Sequence, residues 1–127
     1  MNYRVYLCYA GKDSVLAEDL KRRLKGAGVD FVTMEAAPDA EAARLRLRIR
    51  DTIQGASEVI ALLTDNSVNN KWLLYEIGMA DSLERPVTFV VADEGIERLL
   101  PFVGKRVIRY ADFPEYLSSL KERAKAA

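Results

Sequence analysis

Glu58-Val59-Ile60-Ala61-Leu62-Leu63-Thr64 is a near-continuous apolar run closed at both ends by polar residues. A half-exposed strand would alternate, so an unbroken run of this length reads as a central parallel strand covered on both faces. Covering both faces needs helices before and after it, and the flanking sequence supplies them. Upstream, Leu45, Ile49 and Ile53 line one helix face between Glu41 and Gln54. The arginines at 44, 46, 48 and 50 alternate with period two, as a strand would, but good helix formers fill Ala40 to Leu47 and decide for helix. Downstream, the polar loop Asp65 to Asn70 caps a second helix over Lys71 to Leu83.

The pattern repeats outward. Tyr3 to Tyr9 (YRVYLCY) is aromatic and β-branched and stops at Ala10-Gly11, a first strand. Asp13 or Ser14 is positioned to cap a helix in which Leu16, Leu20 and Leu24 recur every four residues, ending at Gly26 and Gly28. Val29 to Thr33 is a short second strand, followed by the loop Met34 to Asp39. Pro86 to Ala92 is a fourth strand, Glu94 to Pro101 an irregular or briefly helical link, Arg106 to Tyr110 a fifth strand, and Leu117 to Lys125 lies in a last helix. Alternating strands and helices with right-handed crossovers predict an α/β, flavodoxin-like three-layer fold. Its five-stranded parallel sheet has the order 2-1-3-4-5, with helices on both faces. Ligands of such sheets sit beyond the carboxyl ends of the strands, here at the switch point between strands 1 and 3. That rule nominates the loops Ala10 to Asp13, Met34 to Asp39 and Asp65 to Asn70, with the helix the last one opens.

Composition bounds the chemistry. The 127 residues fit one domain over 1–127, half of them hydrophobic and 30% charged. Lys plus Arg and Asp plus Glu total 19 each, so no net field draws nucleic acid or an anionic membrane. A single cysteine, Cys8, excludes an internal disulfide, and the amino-terminal residues lack a long apolar segment, which together point to a soluble, cytoplasmic protein. No apolar run approaches the roughly 20 residues that span a bilayer. The absence of histidine removes Ser-His and Cys-His nucleophiles and His-ligated metals, and no metal is expected. Gly26-Ala27-Gly28 closes a helix instead of following a strand, so it lacks the geometry that cradles a dinucleotide phosphate. A phosphoreceiver would need acidic residues after strand 1, where Cys8 and Tyr9 stand.

What survives elimination is Trp72-Leu73-Leu74-Tyr75-Glu76 on the helix after strand 3. Trp72 and Glu76 are i and i+4 and share a face, about 5 to 6 Å apart at Cβ. Leu73, Ile77 and Ala80 run beside them, which places Glu76 partly out of water. Spacing alone leaves two readings open: a helix anchor with a rim carboxylate bonded to an amide or arginine, or a reactive pair.

The chain resembles the TIR (Toll/interleukin-1 receptor) domain family, in its small prokaryotic branch, over nearly its whole length. Val5-Tyr6-Leu7-Cys8-Tyr9 is similar to the family's first box, Gly11-Lys12-Asp13 to its first loop, and Gly28-Val29-Asp30-Phe31 to the entry into strand 2. Ile60 to Glu76, with Ser67 and the Trp-x-x-x-Glu spacing, is similar to the segment from strand 3 into helix 3. Two positions depart from the family pattern: Leu73 stands where relatives often have cysteine, and the loop from Met34 to Asp39 lacks an acidic-then-glycine pattern.

The resemblance implies an NAD glycohydrolase or ADP-ribosyl cyclase, an effector in bacterial defence or cell-death signalling. NAD is then a substrate and no cofactor is needed. Glu76 is the implied catalytic residue, matching the glutamate essential in active members. Trp72 would stack on the substrate and bias the product between hydrolysis and a cyclic ADP-ribose. Tyr9, Ala10, Gly11, Lys12, Asp13 and Ser67 are the implied substrate-side residues. Lys12 is a candidate pyrophosphate contact or a solvated loop lysine; Asp13 is more readily a helix cap than a catalytic group, and Ser67 a cap or a substrate contact. The resemblance also implies self-association through TIR–TIR contacts. Two rivals are a non-catalytic TIR interaction module and a nucleoside deoxyribosyltransferase-like enzyme.

Overall fold

The computed structural model describes residues 2–36, 38–99 and 106–127. Five strands, β1 (Arg4–Cys8), β2 (Asp30–Val32), β3 (Glu58–Leu63), β4 (Val87–Val91) and β5 (Val107–Arg109), form one sheet. Its order is β2-β1-β3-β4-β5 and every neighbouring pair is parallel. The run quoted above is the central strand, and all six residues of β3 are buried. Each strand stops one residue short of its sequence-predicted limit at one or both ends, because the outermost residues turn into the connecting loops. Of the expected link from Glu94 to Pro101, Ile96–Leu99 is a single 3-10 turn, whereas Leu100 and Pro101 lie outside the described residues, as does Ala37 of the second loop.

The helices α1 (Ser14–Gly26) and α4 (Phe113–Ala126) cover one face, and α2 (Ala42–Gln54) and α3 (Lys71–Ser82) cover the other. Strand alternation decides which residues go where. Val5 and Leu7 of β1 join Leu20, Leu24 and Leu120, while Tyr6 and Cys8 point the opposite way toward Leu45, Ile49, Leu73 and Ile77. The ambiguous arginine-rich segment is helix: Leu45, Ile49 and Ile53 are buried, and the four intervening arginines are exposed. Its period-two alternation was incidental, since a 3.6-residue period buries every fourth position and leaves the rest wet. α1 closes at Gly28, whose φ of +72° reverses the chain so that Val29 N–H reaches Leu24 O at 3.0 Å.

At the amino end of the sheet, buried Glu58 opens β3 and accepts hydrogen bonds from the phenols of Tyr3 and Tyr116. The Arg123 guanidinium adds Nε to Oε2 at 3.1 Å and Nη2 to Oε1 at 3.2 Å. This cluster fastens α4 to the sheet, far along β3 from the carboxyl ends where the switch point lies. Among the described residues no helix is long and apolar enough to cross a membrane.

Candidate functional site

α3 starts cleanly because Asn70 caps it: its side-chain oxygen accepts from Leu73 N–H at 2.9 Å. With the helix phase fixed there, Leu73, Ile77 and Ala80 are driven into the core and Trp72 and Glu76 face a cleft. The cleft measures about 290 Å³ and lies at the carboxyl ends of β1, β2 and β3. Tyr9, Gly11 and Ser14 form one wall, Met34, Glu35 and Ala36 a second, and Asn70, Trp72 and Glu76 the third. Each of the three nominated loops contributes, and the position is the switch point that the strand order predicts.

Glu76 is at the cleft floor and only 4% exposed. Its Oε2 accepts a hydrogen bond from the phenol of Tyr6, which arrives from the core face of β1. Burial pushes the Glu76 carboxyl up to about 8, and the Tyr6 bond opposes that rise. Burial likewise pushes the Tyr6 phenol and the Cys8 thiol upward, with the nearby Glu76 charge adding to both. Glu76 is therefore no rim carboxylate tied to an amide or arginine: its partner is a phenol and it lies deeper than the rim. A strongly perturbed acid in a cleft is a frequent feature of functional sites.

Trp72 both anchors and lines. It is partly buried against the α2–α3 core and meets Tyr75 edge to face, with ring centroids 6.0 Å apart at 86°. Tyr75 in turn donates to the Arg46 carbonyl at 3.4 Å, which ties the pair to α2. Across the cleft the Tyr9 phenol accepts from Lys21 Nζ at 2.9 Å, and that ammonium sits 5.1 Å from the ring centroid.

The remaining expected substrate residues divide. Tyr9 and Gly11 line the Glu76 cleft. Ala10 and Lys12 line a separate hollow of about 230 Å³, together with Asp65, Asn66 and Asn69, and Asn70 belongs to both spaces as the wall between them. Asp13 corrects its reading as a cap. It makes no side-chain cap bond at the start of α1, and its buried carboxylate accepts instead from Thr64 Oγ1 at 2.6 Å and Asn66 Nδ2 at 2.7 Å. Those bonds tie the loop after β1 to the loop after β3. Ser67 is also corrected: it is fully buried, and its Oγ accepts from Thr64 N–H at 2.9 Å, so it caps no helix and touches no cleft.

Tyr6, Ser14, Met34, Glu35 and Asn70 are site residues that sequence reasoning did not single out. Tyr6 carried a signal, because a tyrosine on the core-facing phase of a buried strand needs a hydrogen-bond partner for its hydroxyl. Among the described residues no group of three or more Cys, Asp and Glu side chains converges to hold a metal ion.

A family model described as TIR domain matches residues 5–125. No curated protein sequence matches significantly. Among solved structures, the chain is similar to the TIR domain of a Toll-related receptor from Hydra magnipapillata, with a TM-score of 0.68, 16% identity, and 95% of this chain and 97% of that one covered. It is also similar to a CMP N-glycosidase of Clostridium botulinum, with a TM-score of 0.59, 24% identity and coverage of 92% and 97%. A 2-deoxyribosyltransferase of Leishmania mexicana matches with a TM-score of 0.61, 14% identity and coverage of 91% and 97%. At these identities the likeness is one of fold.

Proposed function

The chain belongs to the TIR domain family, and from that membership and the surroundings of Glu76 we propose that it cleaves the nicotinamide–ribose bond of NAD. It acts as an NAD glycohydrolase or ADP-ribosyl cyclase, an effector in bacterial defence or cell-death signalling. The observation that carries this reading is Glu76 on the floor of the switch-point cleft, next to Trp72 and facing Tyr9.

The chemistry suits a site without histidine. The nicotinamide ring of NAD is cationic and departs neutral, so its leaving needs no proton donor. The costly species is the ribosyl oxocarbenium ion, and a carboxylate held in a poorly hydrated cleft stabilises charge that develops there. Trp72 and Tyr9 supply flat faces for the pyridine ring or the ribosyl cation. Water attack then gives ADP-ribose, and attack by the adenine gives a cyclic product. The hollow beyond Asn70, with Lys12 at its edge, has room for the part of a dinucleotide that the cleft leaves outside.

The test is NAD cleavage at high protein concentration, where self-association of TIR domains is favoured, with nicotinamide and cyclic products followed by chromatography. Glu76→Gln should lose at least roughly a hundredfold in rate, the scale on which removing one preorganised electrostatic group acts. Equal release by the two proteins would sink the reading.

A second reading, cleavage of an N-glycosidic bond in a nucleotide or nucleoside, is favoured by cleft size. About 290 Å³ is at the small end of ligand pockets, which span roughly 300 to 1,000 Å³. Two proteins of the same fold are named for chemistry of that type. Turnover of CMP or a deoxynucleoside, with NAD untouched, would select it.

A further inference from the structure

The two carboxylate oxygens of Glu76 have different surroundings. Oε2 accepts the phenol of Tyr6. Oε1 accepts no hydrogen bond from the described residues, yet it is not sealed in: among them the single buried side-chain nitrogen or oxygen without a partner is Arg85 Nε. An unpartnered oxygen that is not buried, on a residue that is only 4% exposed and lines the cleft, is the part of Glu76 that the cleft reaches. One oxygen is anchored in the core and the other is presented to a ligand.

The anchor is rigid and the group it holds is not. Tyr6 is at the middle of β1, paired with Val32 of β2 on one side and Val59 of β3 on the other, and it is fully buried. Its ring is therefore out of a ligand's reach. β1 sends one other polar side chain to this face, Cys8, and that thiol donates to the Ile60 carbonyl at 3.7 Å. Glu76 hangs from α3 by three side-chain torsions, the last of them a broad sp3–sp2 rotor that the helix backbone does not set. Its neighbours one turn away are Trp72, Leu73, Met79 and Ala80, and none of them bonds to it. Among the described residues, the orientation of the carboxylate is set by hydrogen bonding from Tyr6 alone.

We propose that Tyr6 is a positioning residue for the cleavage reaction, holding Oε2 so that Oε1 meets the ribosyl centre as positive charge develops there. The inference rests on Glu76 being the catalytic group of the proposed reaction. Tyr6 touches no substrate atom and acts through one torsion of its partner. Without the phenol the carboxylate turns about its last bond, and a misplacement of about 1 Å costs on the order of a hundredfold in rate. Trp72 and Tyr9 stay where they are, so ground-state binding is kept. The loss then falls on kcat and spares KM.

The experiment compares the full chain with Tyr6→Phe, which keeps the ring and deletes the hydroxyl. Nicotinamide release from NAD gives kcat and KM, each protein being read on its own high-pH plateau so that protonation of Glu76 plays no part. Tyr6→Phe should lower kcat by roughly ten- to a hundredfold and leave KM within about twofold. Placed on Glu76→Gln, it should change the residual rate by less than about twofold, because the carboxylate that Tyr6 positions is already gone. A crystal structure of Tyr6→Phe should show the Glu76 carboxylate turned, or divided between two orientations. An unchanged kcat, a loss carried by KM, an equal loss on the Glu76→Gln background, or a carboxylate still in its wild-type orientation overturns the proposal. If the wild type releases no nicotinamide, the NAD-cleaving reading falls, and the carboxylate orientation in Tyr6→Phe decides by itself whether Tyr6 positions Glu76.

Discussion

Replacing Glu76 by glutamine should make the protein more stable, and by an amount that depends on pH. The carboxyl is raised from an ordinary value of 4.5 to about 8, so the native state holds the proton more tightly than the unfolded chain does. The contribution of this group is at its most favourable below about pH 4.5. It declines as pH rises and reaches its full cost once pH passes about 8. At about 1.4 kcal/mol per pH unit, the gap corresponds to roughly 4 to 5 kcal/mol of unfavourable ionisation at pH 9. Water entering from the cleft reduces that, and the glutamine NH2 finds no designated partner, although the amide oxygen still accepts from Tyr6. A gain of about 2 to 3 kcal/mol at pH 9 is expected, against none, or a loss of about 0.5 kcal/mol, at pH 4.5. For a chain of this size, 1 kcal/mol moves the melting temperature by roughly 3 to 6 °C, so the variant should melt about 6 to 18 °C higher at pH 9. Thermal melts followed by circular dichroism at pH 4.5, 7 and 9 give the answer. A pH-independent difference would show that Glu76 ionises without hindrance in the fold and would refute the reasoning.

Tyr6→Phe keeps the ring and removes the one side-chain hydrogen bond to Glu76 among the described residues, so the carboxyl should titrate above about 8. Denaturation should show a cost of about 1 kcal/mol at pH 5 and about 2 to 3 kcal/mol at pH 9, and carboxyl carbon NMR would report an unchanged titration if the bond is inconsequential. Arg123→Met strands Glu58 on two phenols and should cost about 2 to 3 kcal/mol, less than for a fully buried pair because the Arg123 side chain is 35% exposed. Adding Glu58→Gln should recover at least half, and no recovery in urea melts would contradict a charge-based cost. Asp13→Ala should cost about 2 kcal/mol and speed hydrogen exchange of the amides from Asp65 to Asn70, leaving the first turn of α1 protected. Equal loss of protection at Ser14 to Ala17 would restore Asp13 as a cap.

What the sequence disclosed and what it hid follow one physical division. Sheet order, crossover direction and the two covering layers came from periodicity, because burial acts on every residue of an element and leaves a repeated mark. Leu45, Ile49 and Ile53 settled the helix at 42–54 despite four alternating arginines, since a repeated apolar stripe outweighs a coincidental alternation. The same logic brought Trp72 and Glu76 to one face, and the switch-point rule brought that face to a cleft. The errors fell where a single polar group chose between a local and a distant partner. Asp13 stands where a cap belongs, yet it bonds to Thr64 and Asn66, 51 and 53 residues away. Glu76, open in the sequence between a rim carboxylate and a reactive group, bonds to Tyr6, 70 residues away. Neither choice leaves a periodic trace, but both leave an unmet requirement on each side. A phenol on the inward phase of β1 and an acid beside the apolar stripe of α3 each need a partner that their own element cannot provide, and the sheet order places those elements together. Matching such requirements across elements already known to touch extends sequence reading to contacts that periodicity cannot reach, and here it leads to the pair that sets the charge of the site.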